Sequence, residues 1–187
     1  LALVRALAGG EARGETTNLT VVDAAGNGCA LTTSLGLGSG DFLPGLDVHL
    51  NSMLGEADLL VGPLEPGARM ESMMAPTAVL DAEGLVCVAG AAGGTRLRGA
   101  LTQVLAGVLD EGLDPQAAVE RARLHPAGAV VHLEPGFAAE VVEALEAEGF
   151  TVRRWAAPHH YFGGVSLAGR RGLGADPRRS GAARPLR

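Results

Sequence analysis

The sequence predicts an α+β fold in which antiparallel sheets are layered with helices. Alternating, β-branched segments around glycine-containing turns come first, segments with apolar residues at helical spacing follow, and short strands return near the end. The length of 187 residues is that of one domain and is enough to bury a core.

Two strands at the start of the chain form the first predicted hairpin. Residues 17–23 (TNLTVVD) and 29–35 (CALTTSL) alternate and are rich in β-branched side chains, and residues 25–28 (AGNG) are a turn sequence. The glycine-punctuated residues 36–45 are typical of a binding loop, and residues 48–54 of a short extended segment or turn.

A second hairpin and the predicted helices occupy the middle of the chain. Residues 77–81 and 85–89 are predicted strands around a turn, and the apolar residues within 95–110 have the 3.6-residue spacing of an amphipathic helix. Further helices are predicted over 114–123 and 137–148, further strands over 129–133, 150–154 and 163–167, and an irregular tail after Gly174.

The composition argues against three classes of protein. No apolar run approaches the roughly 20 residues that cross a bilayer, so no membrane span is expected. The net charge is −6, and the 15 basic residues, all arginine, are scattered along the chain, which argues against a nucleic-acid surface. A charged fraction of 19% argues against disorder.

No metal and no cofactor site is predicted. The five histidines lack metal-ligand spacing, and the sequence has no P-loop, Rossmann fingerprint or GxSxG elbow. The GLGSG run at 36–40 is too short for a phosphate loop. Cys29 and Cys87 lie in apolar runs and are predicted to be buried strand residues, which indicates neither a disulfide nor a compartment.

The pair Thr16-Thr17 lies between a polar, flexible segment and the first strand. Taken alone, both residues are ordinary β-formers at a strand edge. A threonine hydroxyl becomes a useful nucleophile when a base is held against it, and cleavage of the preceding peptide bond supplies one, the threonine's own α-amine. A threonine used in this way must begin a strand, as Thr16 is expected to do.

The order and spacing of several motifs from Thr16 to Arg179 resemble the small subunit of the γ-glutamyltransferases, which are N-terminal-nucleophile hydrolases. The resemblance implies an αββα sandwich of the N-terminal-nucleophile hydrolase type, of which this chain would be the small-subunit half. The matching segments are TTNLTVVDAAGNGCALTTSLGLGSG at 16–40, HLNSMLGE at 49–56, SMMAPTAVL at 72–80, AGGTRLRGALTQVLAGVLDEGLDP at 92–115, RLHPAG at 123–128 and GADPRRSGAA at 174–183.

The resemblance implies that Thr16 is the nucleophile, freed by autocleavage of the Glu15–Thr16 bond. Its hydroxyl would attack a γ-glutamyl carbonyl to give an ester, which is released to water or to an amino-acid or dipeptide acceptor. Ser34 matches a second hydroxyl, usually a threonine, that hydrogen-bonds the nucleophile. Gly93 and Gly94 match paired glycines whose N–H groups form an oxyanion hole, where the lack of side chains leaves room for the developing charge.

Five further positions correspond to substrate-binding positions of the family, and two of them carry the family's residue type. Glu56 matches an acidic residue on the substrate α-ammonium group, and Ser72 matches a serine on the α-carboxylate. Four positions depart from the family pattern. Asn18 replaces the histidine that usually follows the double threonine, Gly36 replaces an asparagine, Met53 a glutamine or glutamate, and Met73 the second of two serines. Losing one charge-assisted hydrogen bond costs about 1.5–3 kcal/mol, so these departures affect the expected substrate preference more than the reaction type.

The position of Thr16 implies two regions and a partner. Residues 1–15, of which 1–8 are predicted to be a helix fragment, are expected to be the remnant of the carboxyl-terminal tail of the large subunit, and residues 16–187 the small subunit. The large subunit of the same precursor is the expected partner, because this chain alone would expose a sheet edge and apolar helix faces. The expected substrates are glutathione and related small γ-glutamyl compounds. No compartment is indicated, since any signal would lie upstream of Leu1.

Two alternatives stay open. The altered pocket is also compatible with an acylase, or with an enzyme of the poly-γ-glutamate-processing type, on the same fold. If the bond before Thr16 stays intact, the chain is instead a truncated, inactive fragment or a partner-binding domain.

Overall fold

The computed structural model describes residues 16–56, 59–63 and 65–185. Helices and mainly antiparallel strands occur together, so the prediction of an α+β fold is confirmed. Within these ranges the strands and α-helices are β1 (Thr16–Val22), β2 (Gly28–Ser34), β3 (Phe42–Leu43), β4 (Val48–His49), β5 (Thr77–Asp81), β6 (Gly84–Ala92), α1 (Leu97–Leu109), α2 (Pro115–Glu120), β7 (Leu124–Ala127), β8 (Val130–Leu133), α3 (Ala139–Ala147), β9 (Thr151–Arg154), β10 (Gly164–Gly169) and β11 (Gly172–Ala175).

The chain divides into two units, which are described separately. The first unit comprises the described residues of 1–17 and 33–72, and the second those of 18–32 and 73–187. The predicted helix fragment at 1–8 and the predicted tail segment 1–15 lie outside the described residues.

A four-stranded antiparallel sheet in the order β11-β10-β6-β5 is the centre of the second unit. Its longest strand is β6, in which residues 87–92 are all buried. Because both faces of β6 are covered, its sequence GLVCVAGAA is a nearly continuous small and apolar run rather than an alternating one.

Helices α1 and α2 cover one face of this sheet. Helix α2 begins at Pro115, where the Asp114 carboxylate accepts a hydrogen bond from the Gln116 backbone N–H at 2.9 Å. It ends at Glu120, before the predicted end at residue 123, because Arg121 has an extended ψ of 142°. The buried cluster between the helices and the sheet includes Leu97, Leu101, Val104, Val108, Ala118, Val119, Cys87, Ala89, Ala91, Val165 and Leu167.

The part of the β1–β2 hairpin from Asn18 to Thr32 lies on the opposite face of the same sheet. The Asn18 side-chain amide donates to Thr32 Oγ1 at 2.6 Å, and its oxygen accepts a hydrogen bond from the Ser166 hydroxyl of β10. This close approach requires Gly90, where a Cβ would lie 2.0 Å from Asn18 Nδ2. Helix, sheet and hairpin therefore stack as three successive layers in the second unit.

The two cysteines lie in different surroundings. Cys87 is buried in β6 as predicted, and burial raises the pKa of its thiol. Cys29 is exposed, so the prediction that it is buried is wrong. The reason is the two-residue period of β2, which directs Cys29 and Leu31 to the outer face of the hairpin, away from the four-stranded sheet.

A smaller sheet in the order β7-β8-β9 packs with α3 in the second unit. Strands β8 and β9 are parallel and are joined through α3, as a crossover connection requires. Strand β7, which no sequence pattern indicated, pairs with β8 around Gly128, whose φ of 60° suits the turn. Val131, Leu133 and Val142 form the buried centre of this part.

The tail after Gly174 is more ordered than predicted. Strand β11 extends to Ala175, and the following Asp176 and Arg178 side chains are almost fully buried in ion pairs with Arg123 and Glu134. Among the residues that the structure describes, no helix is long and apolar enough to cross a membrane, and no group of three or more histidine, cysteine or acidic side chains could hold a metal ion.

Candidate active site

Two hydroxyls meet at the open end of the β1–β2 hairpin. Thr16 is the first residue of β1 and Ser34 the last residue of β2, and their hydroxyl oxygens lie 3.0 Å apart. The spacing of 18 residues follows from the hairpin itself, since two seven-residue strands with a short turn bring the outer ends together. Both side chains are half-buried and belong to the first unit.

The hydrogen bonds of Ser34 determine what it can do for Thr16. The Ser34 oxygen accepts a hydrogen bond from the Gly36 backbone N–H at 3.0 Å. A serine hydroxyl has one proton and two lone pairs, so with one lone pair occupied Ser34 can direct its proton at the Thr16 oxygen. A donor at this position favours negative charge on the threonine oxygen and orients its lone pairs.

The next residues of the first unit converge on Gly36, which is buried and has φ of 66°. A Cβ at Gly36 would lie 2.6 Å from Ser52 Oγ, and 3.5 Å from both Glu56 Oε1 and Met53 Sδ. A larger residue here would be strained by its backbone and would displace Ser52. The structure thus brings together Gly36, Met53 and Glu56, which the sequence placed on the substrate side, in a chain of contacts that starts at Ser34.

A short 3-10 helix over Met53–Gly55 sets the direction of these side chains. The Asn51 carboxamide oxygen accepts from the Met53 N–H at 3.0 Å at its start, and the Glu56 N–H donates to the Met53 carbonyl at 3.0 Å at its end. The wall beside Gly36 therefore carries the Ser52 hydroxyl, the Met53 thioether and the Glu56 carboxylate.

Ser52 is a member of this cluster that sequence reasoning missed. Its hydroxyl accepts from the Leu37 N–H at 2.9 Å and donates to the Leu35 carbonyl at 3.3 Å. It therefore fixes the backbone on both sides of Gly36. The only signal in the sequence was its place within the matching segment HLNSMLGE, because a lone serine in a loop indicates nothing by itself.

Gly93 and Gly94 follow the buried end of β6, in the second unit. Gly93 has φ of 141°, and a Cβ there would lie 2.8 Å from the Gly163 Cα, so no side chain fits. Gly94 has φ of 57° and is exposed, with open space where a side chain would be. Both positions thus present backbone without side chains, which is what an oxyanion-binding segment requires.

The remaining two predicted site residues are placed as follows. Ser72 is exposed and is the last residue of the first unit. Met73 is half-buried in the second unit, where it packs against the apolar cluster beneath α1. Their contact with substrate stays a prediction.

Two histidines lie outside these groups, opposite each other on β7 and β8. Burial, and then the positive charge of Arg96, lower the pKa of His125. Burial, and then the positive charge of Arg153, lower the pKa of His132, whose Nδ1 accepts a hydrogen bond from the Trp155 indole at 3.1 Å. Both imidazoles are therefore held in the neutral form near pH 7.

Comparison with known proteins identifies the family. A family model described as Gamma-glutamyltranspeptidase matches residues 4–186. The chain belongs to the gamma-glutamyltranspeptidase family. This membership, which the order of the sequence motifs predicted, is thus confirmed. The family contains enzymes, among them the glutathione hydrolases.

Relatives of two kinds, an acylase and a glutathione hydrolase, resemble this family member in sequence. It is 31% identical over 153 residues to the acylase ACY 1 proenzyme of Pseudomonas sp. (strain SE83), an alignment covering 79% of this chain. It is 31% identical over 117 residues to the glutathione hydrolase proenzyme of Bacillus subtilis (strain 168), covering 60% of this chain. These alignments span only 27% and 20% of the two relatives.

A solved gamma-glutamyltranspeptidase from Pseudomonas nitroreducens superimposes with a TM-score of 0.76 at 26% identity, covering 91% of this chain and 100% of that chain. This chain therefore has the fold of a solved family member, of which it matches one whole polypeptide.

Proposed function

We propose that this chain is the nucleophile-bearing part of a gamma-glutamyltranspeptidase-type enzyme that transfers γ-glutamyl groups to water or to an amine. The observation that carries the proposal is the 3.0 Å contact between the hydroxyls of Thr16 and Ser34 at the start of β1. In this proposal residues 16–187 are the small subunit, and residues 1–15 are the end of the preceding one.

The first step is cleavage of the Glu15–Thr16 peptide bond, which turns the Thr16 nitrogen into a free α-amine. That amine takes the proton of the Thr16 hydroxyl as the oxygen attacks the amide carbonyl of the substrate. The Ser34 hydroxyl, itself held by the Gly36 N–H, donates to the threonine oxygen as it becomes negative.

The attack forms a tetrahedral oxyanion, and we assign its stabilisation to the backbone N–H groups of Gly93 and Gly94. Collapse of this intermediate breaks the carbon–nitrogen bond, and the leaving amine takes the proton from the Thr16 ammonium group. The product is an ester on Thr16. Water or an acceptor amine then attacks this ester by the same steps in reverse, so that the threonine hydroxyl is restored.

The substrate side of the site is assigned to the residues around Gly36. The Glu56 carboxylate is the group suited to a substrate ammonium, and Ser72 is assigned to the α-carboxylate. Met53 adds apolar surface beside Gly36 where a polar contact would otherwise fix the amino-acid end, and Met73 is assigned a substrate contact only by its place in the family pattern. The proposed substrates are small γ-glutamyl compounds such as glutathione.

A large subunit of the same precursor is the proposed partner. The outer face of the β1–β2 hairpin supports this, because Leu19, Val21 and Leu31 are 56%, 46% and 52% exposed there. Contiguous apolar side chains on a strand face mark an interaction surface. The proenzyme names of the acylase and glutathione hydrolase relatives agree with a precursor of which this chain is one portion.

A second candidate function is an acylase acting on an acyl group without an α-amine. The favouring observation is the site wall beside Gly36, where the Met53 thioether, at a position that is glutamine or glutamate in the family pattern, lies 3.5 Å from the Cβ position. The acylase relative, at 31% identity over 79% of this chain, is consistent with this candidate.

The test is co-expression of this chain with its upstream partner, followed by intact-mass measurement and turnover of two anilides. A γ-glutamyl anilide and a glutaryl anilide differ only in the α-amino group, because both carry the terminal carboxylate, so they separate the two candidates. We expect cleavage before Thr16 and release of the anilide from the γ-glutamyl substrate. Thr16→Ala should abolish both events, whereas Thr17→Ala, at the adjacent outward-facing position, should leave cleavage intact.

Each outcome decides between the candidates. Turnover of the glutaryl anilide alone would replace the first candidate by the second. A chain that stays uncut, with no turnover of either anilide, would contradict both and leave a partner-binding domain as its function.

A further inference from the structure

The loop of residues 37–50 leaves the candidate active site at Gly36 and returns to it at Ser52. Backbone hydrogen bonds close the loop, since the Ser39 N–H donates to the Leu50 carbonyl and the Leu50 N–H to the Asp41 carbonyl, both at 2.9 Å. At its base, the Ser52 N–H donates to the Leu35 carbonyl at 2.9 Å. The conformation of this loop therefore sets how the residues after Ser52 meet Gly36.

The loop has almost no apolar interior of its own. Every residue from 39 to 50 is exposed except His49, which is half-buried. Phe42, Leu46 and Val48 are 54%, 69% and 49% exposed. Burial of apolar side chains within the loop therefore contributes little to its shape, which depends instead on the pairing of β3 with β4, on the backbone hydrogen bonds and on the contacts of the one half-buried residue.

His49 makes three such contacts. Its Nε2 accepts a hydrogen bond from the Gly40 N–H at 3.2 Å. Its ring stacks on Phe42, with centroids 4.6 Å apart and planes inclined by 12°. Its Cε1 lies 2.2 Å from where a Cβ on Gly38 would be, so the ring rests on bare backbone at a position with φ of 74°.

We propose that His49 is a positioning residue, which holds the loop closed so that the wall formed by Ser52, Met53 and Glu56 stays against Gly36. This inference rests on the proposed function, in which that wall binds the acyl group. The contacts of His49 are with its own loop, whereas the hairpin positions the Thr16–Ser34 pair. Its loss therefore weakens substrate binding and leaves the chemical step largely unchanged.

The test uses two variants of the co-expressed, cleaved enzyme that separate the hydrogen bond from the ring. His49→Gln keeps an acceptor near the position of Nε2, and His49→Phe keeps a stacking ring but cannot accept from Gly40. Losing one neutral hydrogen bond corresponds to roughly a 3- to 10-fold change. We expect His49→Phe to raise KM by about that factor with kcat within about twofold, and His49→Gln, which keeps the acceptor but loses the stacked ring, to raise KM by less. The exposed Leu46→Gln is the control and should change neither constant.

Hydrogen–deuterium exchange of the same proteins gives a readout that needs no activity. The Gly40 amide should exchange faster in His49→Phe than in the wild type, and at an intermediate rate in His49→Gln. Equal KM and equal exchange in His49→Phe and the wild type would overturn the proposal. So would a loss confined to kcat. Failure of the proposed function is distinguishable, because it shows as an inactive wild type or an active Thr16→Ala, while the exchange measurement still tests His49.

Discussion

Asp176 is the centre of a buried ion network, and its replacement by asparagine tests how much that network stabilises the fold. Asp176 Oδ2 lies 2.6 Å from Arg123 Nη2 and accepts from the Val165 N–H at 3.0 Å. Its Oδ1 lies 3.2 Å from Arg178 Nη1, and Arg178 Nη2 lies 2.5 Å from Glu134 Oε2. These charged side chains are at most 3% exposed, so two carboxylates balance two guanidinium groups away from water.

Asp176→Asn keeps the shape of the side chain and removes one of the two negative charges. Burial lowers the pKa of Arg123, and the charge of Asp176 is the first influence that opposes this effect. Without that charge, one buried guanidinium is uncompensated, and removing one partner of a buried pair costs about 3–5 kcal/mol. The free energy of unfolding of a domain is about 5–15 kcal/mol, so this loss is a large share of the total stability. With a urea dependence of about 2 kcal/mol per molar, the midpoint should fall by about 2 M.

The assay is urea unfolding of the full chain, followed by the fluorescence of Trp155 and by far-ultraviolet circular dichroism. Asp81→Asn is the matched control, because Asp81 also pairs with an arginine, Arg170, through two hydrogen bonds of 3.0 Å, but at the surface. Water screens such a pair, so this variant should unfold close to the wild-type midpoint. Equal shifts of the urea midpoint in the two variants would refute this prediction, because burial would then make no difference to the free energy that the ion pairs contribute.

Three further predictions concern the site and its surroundings. Ser34→Ala should lower kcat/KM on a γ-glutamyl anilide by about 10- to 100-fold by removing the hydrogen bond to Thr16, whereas Ser34→Thr should retain most activity; equal losses would contradict a hydroxyl role. Gly93→Ala should lower the melting temperature by several degrees, because its Cβ would lie 2.8 Å from the Gly163 Cα, whereas Gly94→Ala, whose Cβ lies in open space, should lower it less. A larger drop in melting temperature for Gly94→Ala would be inconsistent with this packing. Burial and a neighbouring arginine lower the pKa of His125 from its ordinary 6.5, so the folded state binds fewer protons than the unfolded state. The contribution of neutral His125 to the free energy of unfolding is therefore fully present above about pH 6.5 and is lost on acidification. Urea midpoints should accordingly fall less steeply from pH 7 to 5 in His125→Gln than in the wild type.

The hairpin and its two hydroxyls were the part of the site most accessible from sequence. Alternation over two short segments and a glycine-containing turn predicted β1 and β2 to within one residue of their observed bounds. The resemblance to the family, and not this pattern, implied the contact between Thr16 and Ser34. The hairpin accounts for that contact, because an antiparallel hairpin brings its outer ends together.

The contacts around Gly36 could not be predicted in the same way. Ser52 lies in an irregular segment and His49 in the two-residue strand β4, and both are too short for a periodic pattern to reveal their conformation. The buried pair of Arg123 and Asp176 was equally hidden, because it joins residues 53 positions apart that each lie in a polar, turn-like sequence. The predicted end of α2 at residue 123 failed for a related reason, since Arg123 is taken into that network and not into the helix.

The two-residue period of β1 links the nucleophile to the need for a partner. Thr16, Asn18 and Thr20 share the less exposed face of the strand, while Leu19 and Val21 share the exposed face. This is the reverse of an ordinary surface strand, whose apolar side chains face the core. A shift of one residue would bury the leucine and valine but turn the Thr16 hydroxyl away from Ser34. The register that forms the hydroxyl pair therefore also exposes an apolar face, and burial of that face by the proposed large subunit would stabilise the register that the chemistry requires.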